Sequence, residues 1–348
     1  MKILKWLGAI IILLVIVYFV GPKVDVPELD AKITQEATSD LKALEDEINK
    51  SEASNSKIKP DNQARIIWAD STHQKTPYSL VYLHGFSASQ GEGDPAHIEF
   101  ARRYGCNLYL TRLAEHGLES DEPMLELTPE KLLESAKEAI AVGKQLGDQV
   151  IVMSTSTGGT LGIYLASEEP AISALINYSP NIDLFDPRSS MLLKPWGLQI
   201  ARTLLGGDYN NNSGEPEEDK FKDQYWYAKY RIEAILNLKA LMAATMTEET
   251  FTKVKQPFFL GYYYKNDSLQ DKTVSVPKML EMYDQLGTPE ASKRKVAFPE
   301  AKEHVIASKY VENTHERVME ETFKFAEEIL KLEPQILHQS DSAALLVP

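Results

Sequence analysis

Three regimes of apolar and polar positions divide the chain. In the first, Lys5 and Lys23 bracket the uncharged residues 6–22, which are almost continuously apolar from 9 to 20. At about 1.5 Å of rise per residue such a helix just reaches across a bilayer, with the flanking lysines snorkelling. This predicts a single transmembrane helix over residues 1–23. The exit Phe19-Val20-Gly21-Pro22 offers no small-x-small cleavage site, so an uncleaved anchor is expected, with export after signal-peptide cleavage as the alternative. Lys2 and Lys5 precede the segment and acidic residues follow it, which puts the N-terminus in the cytoplasm and the remaining chain on the extracytoplasmic side.

In the second regime, residues 24–61, apolar side chains recur at Ile33, Ala37, Leu41, Leu44 and Ile48, the spacing of an amphipathic helix over 30–50, followed by a polar linker. The third, residues 62–332, alternates short β-rich apolar runs with helical stretches. Strands are expected at 64–69, 78–83, 107–111, 149–154, 173–178, 257–264 and 294–298, with helices near 94–104, 128–146 and 157–168 and a last helix at 311–332. Such repetition, with near-continuous apolar strands, predicts an α/β fold built on a mainly parallel, doubly wound sheet. The rhythm breaks at 181–255, which needs no strand and carries Trp196, Tyr209, Tyr225, Trp226, Tyr227 and Tyr230 around the polar run Asn210-Asn211-Asn212-Ser213-Gly214. Residues 333–348 form a tail.

Charge and cysteine content narrow the function. The 348 residues hold 37 basic and 51 acidic side chains, a net charge of −14, without the basic footprint that a nucleic-acid partner requires. Cys106 is the only cysteine, so there is no intrachain disulfide and no cysteine metal cluster. His73 and His97 lack partners at ligand spacing, and neither a metal nor a cofactor is expected.

Chemistry concentrates where the run Val150-Ile151-Val152-Met153 turns through Ser154-Thr155-Ser156-Thr157-Gly158-Gly159 into a helix. A serine presented on such a turn needs small residues two places before and after it, because the strained backbone passes close to its neighbours. Ser154 and Gly158 supply them for Ser156. Upstream, an apolar strand ends in His84-Gly85-Phe86. Downstream, His304 follows the last expected strand on a polar loop, in the position of a general base. After the strand at 257–264 come two aspartates, Asp267 and Asp271, either of which can orient that histidine.

The order Ser, acid, His, with the loop at His84-Gly85-Phe86, resembles the α/β-hydrolase superfamily, in particular its capped lipase and esterase branch that includes monoacylglycerol lipases. The resemblance covers about residues 62–332. It implies that 181–255 is a helical cap, and that the main-chain N–H groups of Phe86 and Thr157 form the oxyanion hole. It favours Asp271 over Asp267, because D-x-x-V before a helix commonly follows the family's acid. It also makes His116, in a turn similar to Gly-His-Gly, a structural loop histidine. The expected function is a serine hydrolase that cleaves carboxylic esters, lipid-like or acyl, through an acyl-enzyme on Ser156, His304 and Asp271. A peptidase or amidase of the same fold, or a catalytically silent binding module, is the alternative.

Overall fold

The apolar runs assemble one sheet in the computed structural model, which describes residues 2–211, 220–311 and 314–335. Asn212, Ser213 and Gly214 of the polar run in the cap, and residues 336–348 of the tail, lie outside the described residues. In chain order the first elements are α1 (Lys2–Phe19), α2 (Leu41–Ala53), β1 (Arg65–Ile67), β2 (Thr76–Leu83), α3 (Ala96–Tyr104), β3 (Asn107–Leu110), α4 (Pro129–Leu146), β4 (Gly147–Thr155), α5 (Thr157–Ala166) and β5 (Ile172–Tyr178). Then come α6 (Gly197–Leu205), β6 (Tyr209–Asn211), α7 (Lys220–Tyr225), β7 (Lys229–Arg231), α8 (Ile232–Thr245) and α9 (Glu248–Lys253). The chain continues through β8 (Phe258–Tyr262), β9 (Tyr264–Asn266), β10 (Leu269–Gln270), α10 (Val276–Gln285), β11 (Lys293–Ala297) and α11 (His315–Glu328).

The main sheet has the order β1-β3-β2-β4-β5-β8-β11. Only β1 runs antiparallel to its neighbour. Period-two alternation sends Val81, Leu83, Val150 and Val152 to the face covered by α4 and α5, and Leu80, Tyr82, Ile151 and Met153 to the face covered by α3 and α11. All eight are fully buried, each worth roughly 1.5–3 kcal/mol relative to exposure. Because neighbouring strands point the same way, the loops after β2, β4, β8 and β11 all emerge at one edge, where open α/β sheets bind ligands.

Two expectations change. Among the described residues, no helix is long and apolar enough to cross a membrane. The 18 residues of α1 include Lys2 and Lys5, so its uncharged part, residues 6–19, makes only about 21 Å of helix, short of a hydrocarbon core of roughly 30 Å. This corrects the transmembrane helix expected in residues 1–23 and removes the ground for the membrane partner and single-pass topology drawn from it. The amphipathic helix also begins later than its spacing suggested. Asp40 is its N-cap, accepting from the N–H groups of Lys42 and Ala43, and residues 30–38 ahead of it have no regular secondary structure. Ile33 and Ala37 still pack on the core, with Leu44 buried, so apolar spacing there records a surface followed by irregular chain. The interval 181–255 also contains strands, the small hairpin β6–β7, beside α6 and α8.

Candidate active site

β4 ends at Thr155 and α5 begins at Thr157, so Ser156 alone makes the turn, at φ 53°, ψ −117°. A non-glycine residue there is strained and persists only where its surroundings enforce it. Both ends of its peptide are tied to the end of β5: Ser156 N–H donates to the Tyr178 carbonyl and Asn181 N–H donates to the Ser156 carbonyl, each at 3.0 Å. Crowding explains the small neighbours. A Cβ on Gly158 would stand 1.9 Å from the Leu83 carbonyl oxygen, and one on Gly159 would stand 2.6 Å from Pro180 Cβ. Ser154 is engaged elsewhere, its hydroxyl donating to Asn177 Oδ1 at 2.9 Å. Thr157 is the first residue of α5, and N–H groups in a first turn have no intrahelical acceptor.

Two buried histidines hold the loop after β2. His84 Nε2 accepts from Leu113 N–H at 3.0 Å while Nδ1 faces the Gly85 carbonyl at 3.0 Å. His116 Nε2 accepts from Ser87 N–H at 3.1 Å, with Nδ1 on the Ala114 carbonyl at 2.7 Å. Each ring therefore carries its proton on Nδ1 and is neutral. Burial drives His84 well below its usual pKa and takes His116 to about 4. His116 is thus a structural residue. Phe86 N–H lies between two fixed neighbours, since Gly85 N–H donates to Glu92 Oε2 at 2.6 Å and Ser87 N–H is held by His116.

The loops after β8 and β11 meet. His304 Nδ1 donates to Asp271 Oδ2 at 2.6 Å, and Asp271 Oδ1 accepts from Thr273 N–H at 2.8 Å and Val274 N–H at 3.1 Å. Asp271 is 1% exposed. His304 Nε2 is buried with no hydrogen-bond partner among the described residues, which leaves one basic nitrogen available. Burial pulls the His304 pKa down, but the charge and hydrogen bond of Asp271, with Glu92 and Glu303 adding, outweigh it, and the net direction is up. Ser179 joins the parts, its hydroxyl donating to the His304 carbonyl at 2.8 Å and its N–H to Gly261. Asp267 stands apart from this arrangement, exposed, and accepts from the Tyr264 hydroxyl at 2.9 Å.

One residue here escaped the sequence reading. Glu92, between Gly91 and Gly93, is 2% exposed and turns its carboxylate onto the Gly85 N–H. Burial, the largest influence, raises its pKa to about 7 against the lowering effects of Gly85, His304, Trp226 and Tyr82. Its only signal in the sequence is a glycine-flanked acid soon after His84-Gly85-Phe86.

Residues 226–230 pack against the loop after β2, and Ser156 is only 5% exposed. The aromatics of 181–255 divide by role. The hydroxyl of Tyr225 bonds Asp61, that of Tyr227 bonds the Leu118 N–H and the Glu115 carbonyl, and Tyr230 packs edge-on against Phe86. These fasten residues 225–230 to the loops beside the site. Trp226 pairs with Ala88 on the loop that leads to Glu92 and lowers the Glu92 pKa, so it lies beside the site. Tyr209 sits beneath Lys229 and Arg231, and the Trp196 indole bonds the Val17 carbonyl. Among the described residues no group of three His, Cys, Asp or Glu side chains is placed to hold a metal.

Comparison with solved structures identifies the fold. A metagenome-derived lipolytic enzyme of the LipS and LipT pair superposes with a TM-score of 0.61 at 18% identity, over 77% of this chain and 98% of the other. The monoacylglycerol lipase of Paleococcus ferrophilus gives 0.53 at 16% identity, over 75% and 98%. The chain has the α/β-hydrolase fold, which both of these enzymes share. In sequence it is 27% identical over 171 residues to the thermostable monoacylglycerol lipase of Bacillus sp. strain H-257, a match spanning 49% of this chain and 63% of the relative's length. No family model matches the chain.

Proposed function

We propose that the protein is a serine hydrolase of carboxylic esters, with Ser156 as nucleophile, His304 as base, Asp271 as the acid that orients it, and the N–H groups of Phe86 and Thr157 as oxyanion donors. The observation that carries this reading is the pair His304–Asp271, with Nε2 left unpartnered, at the sheet edge where Ser156 is strained outward. Nε2 takes the Ser156 proton as Oγ attacks the ester carbonyl. The two N–H groups stabilise the tetrahedral oxyanion, and the imidazolium returns its proton to the leaving alcohol. Water repeats the sequence on the acyl-enzyme. Lipid-like esters are the substrate class suggested by the lipolytic relatives and by the apolar surroundings of the loop at Phe86 and Trp226.

A fluorophosphonate probe tests the reading. It is expected to label Ser156 stoichiometrically, and Ser156→Ala is expected to abolish both labelling and hydrolysis of p-nitrophenyl butyrate with an unchanged circular dichroism spectrum. Labelling at Ser154, or residual hydrolysis in the folded Ser156→Ala protein at the native rate, refutes it. Because the imidazole acts as a base only when neutral and its pKa is held above 6.5, kcat/KM is expected to rise with pH through an inflection above that value.

A further inference from the structure

Glu92 has no part in the reaction as described, yet it is a nearly fully buried acid beside the serine. A Cβ placed on Gly85 would stand 2.7 Å from Glu92 Oε1 and 3.1 Å from Ser156 Cβ, so the two side chains flank the same patch of backbone. The loop that carries Glu92 follows β2, on one side of β4, whereas Asp271 and His304 follow β8 and β11 on the other. Ser156, just past the end of β4, therefore lies between two acids delivered from opposite directions. Few other groups face Glu92: the Gly85 N–H at 2.6 Å, the Tyr82 hydroxyl at 3.4 Å from β2, the Trp226 side chain from the cap, and His304. Facing His304 are Asp271, Glu92 and, on its own loop, the exposed Glu303.

We propose that Glu92 is a second acid of this site, a positioning residue that holds the oxyanion loop through the Gly85 N–H and whose negative charge stabilises the imidazolium of His304 from the β2 side. The inference rests on the assignment of Ser156 and His304 above. Two consequences follow from elementary electrostatics. A carboxylate near an imidazole in a closed site favours its protonated form, the form that accumulates charge as Ser156 attacks. Its hydrogen bond to Gly85 N–H fixes the peptide plane preceding Phe86, whose own N–H is the oxyanion donor. The Coulombic link between Glu92 and His304 is reciprocal, each charge favouring the other.

Glu92→Gln separates the two roles, because a glutamine carbonyl oxygen still accepts from Gly85 N–H but carries no charge. With p-nitrophenyl butyrate, the variant is expected to lose about tenfold in kcat with little change in KM, an order set by one charge contact at an effective dielectric of about 20. Its kcat/KM profile is expected to move its acid limb to lower pH, since His304 loses one source of its raised pKa. Glu92→Asp, which restores a charge, should move the limb back toward the native position. If Glu92 only braced the loop, Glu92→Gln would keep kcat near native and leave the limb in place, and that outcome overturns the proposal. If Glu92→Gln does not fold, the inactive Ser156→Ala protein supplies the measurement. Its 15N-labelled His304 ring should titrate in two coupled steps, one following Glu92, whereas a single step refutes the coupling. Failure of the Ser156 assignment would instead appear as native activity in Ser156→Ala, so the two failures are distinct.

Discussion

The chain after β2 and the chain after β8 each bury one carboxyl at the site, and they equip it differently. On the β8 side, Asp271 meets donors on both oxygens: Thr273 and Val274 N–H on one, His304 Nδ1 on the other. On the β2 side, Glu92 has one short bond from Gly85 N–H, a long one from Tyr82 and a contact with Trp226. The exposures are nearly the same, 1% and 2%. The difference teaches that burial does not define what a carboxyl does in a site. Asp271 is held by three donors on its two oxygens, whereas Glu92, with fewer donors, has an ionisation that burial lifts to about 7.

The largest expected effect breaks the β8 side. Asp271→Asn keeps the shape of the loop but presents an amide to His304, so the ring can settle in the wrong tautomer and the imidazolium loses its partner. A loss of about 10⁴ in kcat is expected, read with p-nitrophenyl butyrate against Ser156→Ala as background. A variant retaining more than a tenth of native kcat would remove Asp271 from the reaction.

The next sharpens the β2 side through stability. Because the Glu92 pKa is raised from 4.5 to about 7 in the folded state, the folded protein binds this proton more tightly than the unfolded chain does. The resulting stability is complete below about pH 4.5 and is lost as pH rises through 7, leaving an ionised Glu92 that costs up to about 3 kcal/mol at pH 8. Glu92→Gln cannot ionise. It is therefore expected to raise the urea midpoint relative to the native protein at pH 8, with the difference shrinking toward pH 5. An equal difference at both pH values would show that Glu92 does not titrate in this range.

What the sequence disclosed, and what it hid, divides along the same line. The strands of the main sheet were legible because near-continuous runs such as Leu80-Val81-Tyr82-Leu83 have no other way to bury both faces. The turn at Ser156 was legible because only small residues tolerate the Leu83 carbonyl beside Gly158. Glu92 was not, because an acid between glycines reads as solvated loop until the cap is set over it, and its partner, a backbone N–H, has no sequence signature. The irregular stretch before Leu41 was misread because residues that follow a core surface can repeat at helical spacing without being helical. The transmembrane reading counted 17 uncharged residues where the helix itself closes at Phe19.

The smallest effect is expected at Asp267, the other aspartate of the β8 side, and its smallness carries information. Asn266 makes the turn between β9 and β10, its Oδ1 accepting from the N–H groups of Ser268 and Leu269 at 3.0 Å each. Asp267 contributes its side chain only to the Tyr264 hydroxyl, in solvent, and its carbonyl to Gln270. An asparagine at 267 retains an oxygen that accepts from Tyr264, and the exposed position has no burial cost to unbalance. Asp267→Asn should therefore leave kcat within about twofold of native and change stability by less than about 1 kcal/mol. The comparison also bears on Asp271, since the two aspartates are four residues apart. If Asp271→Asn keeps a residual rate that disappears in the Asp271→Asn/Asp267→Asn double variant, the short β9–β10 hairpin bends enough for the outer carboxylate to reach His304. If the double variant equals Asp271→Asn, the hairpin keeps Asp267 in solvent and the donors around Asp271 fix the acid at one position.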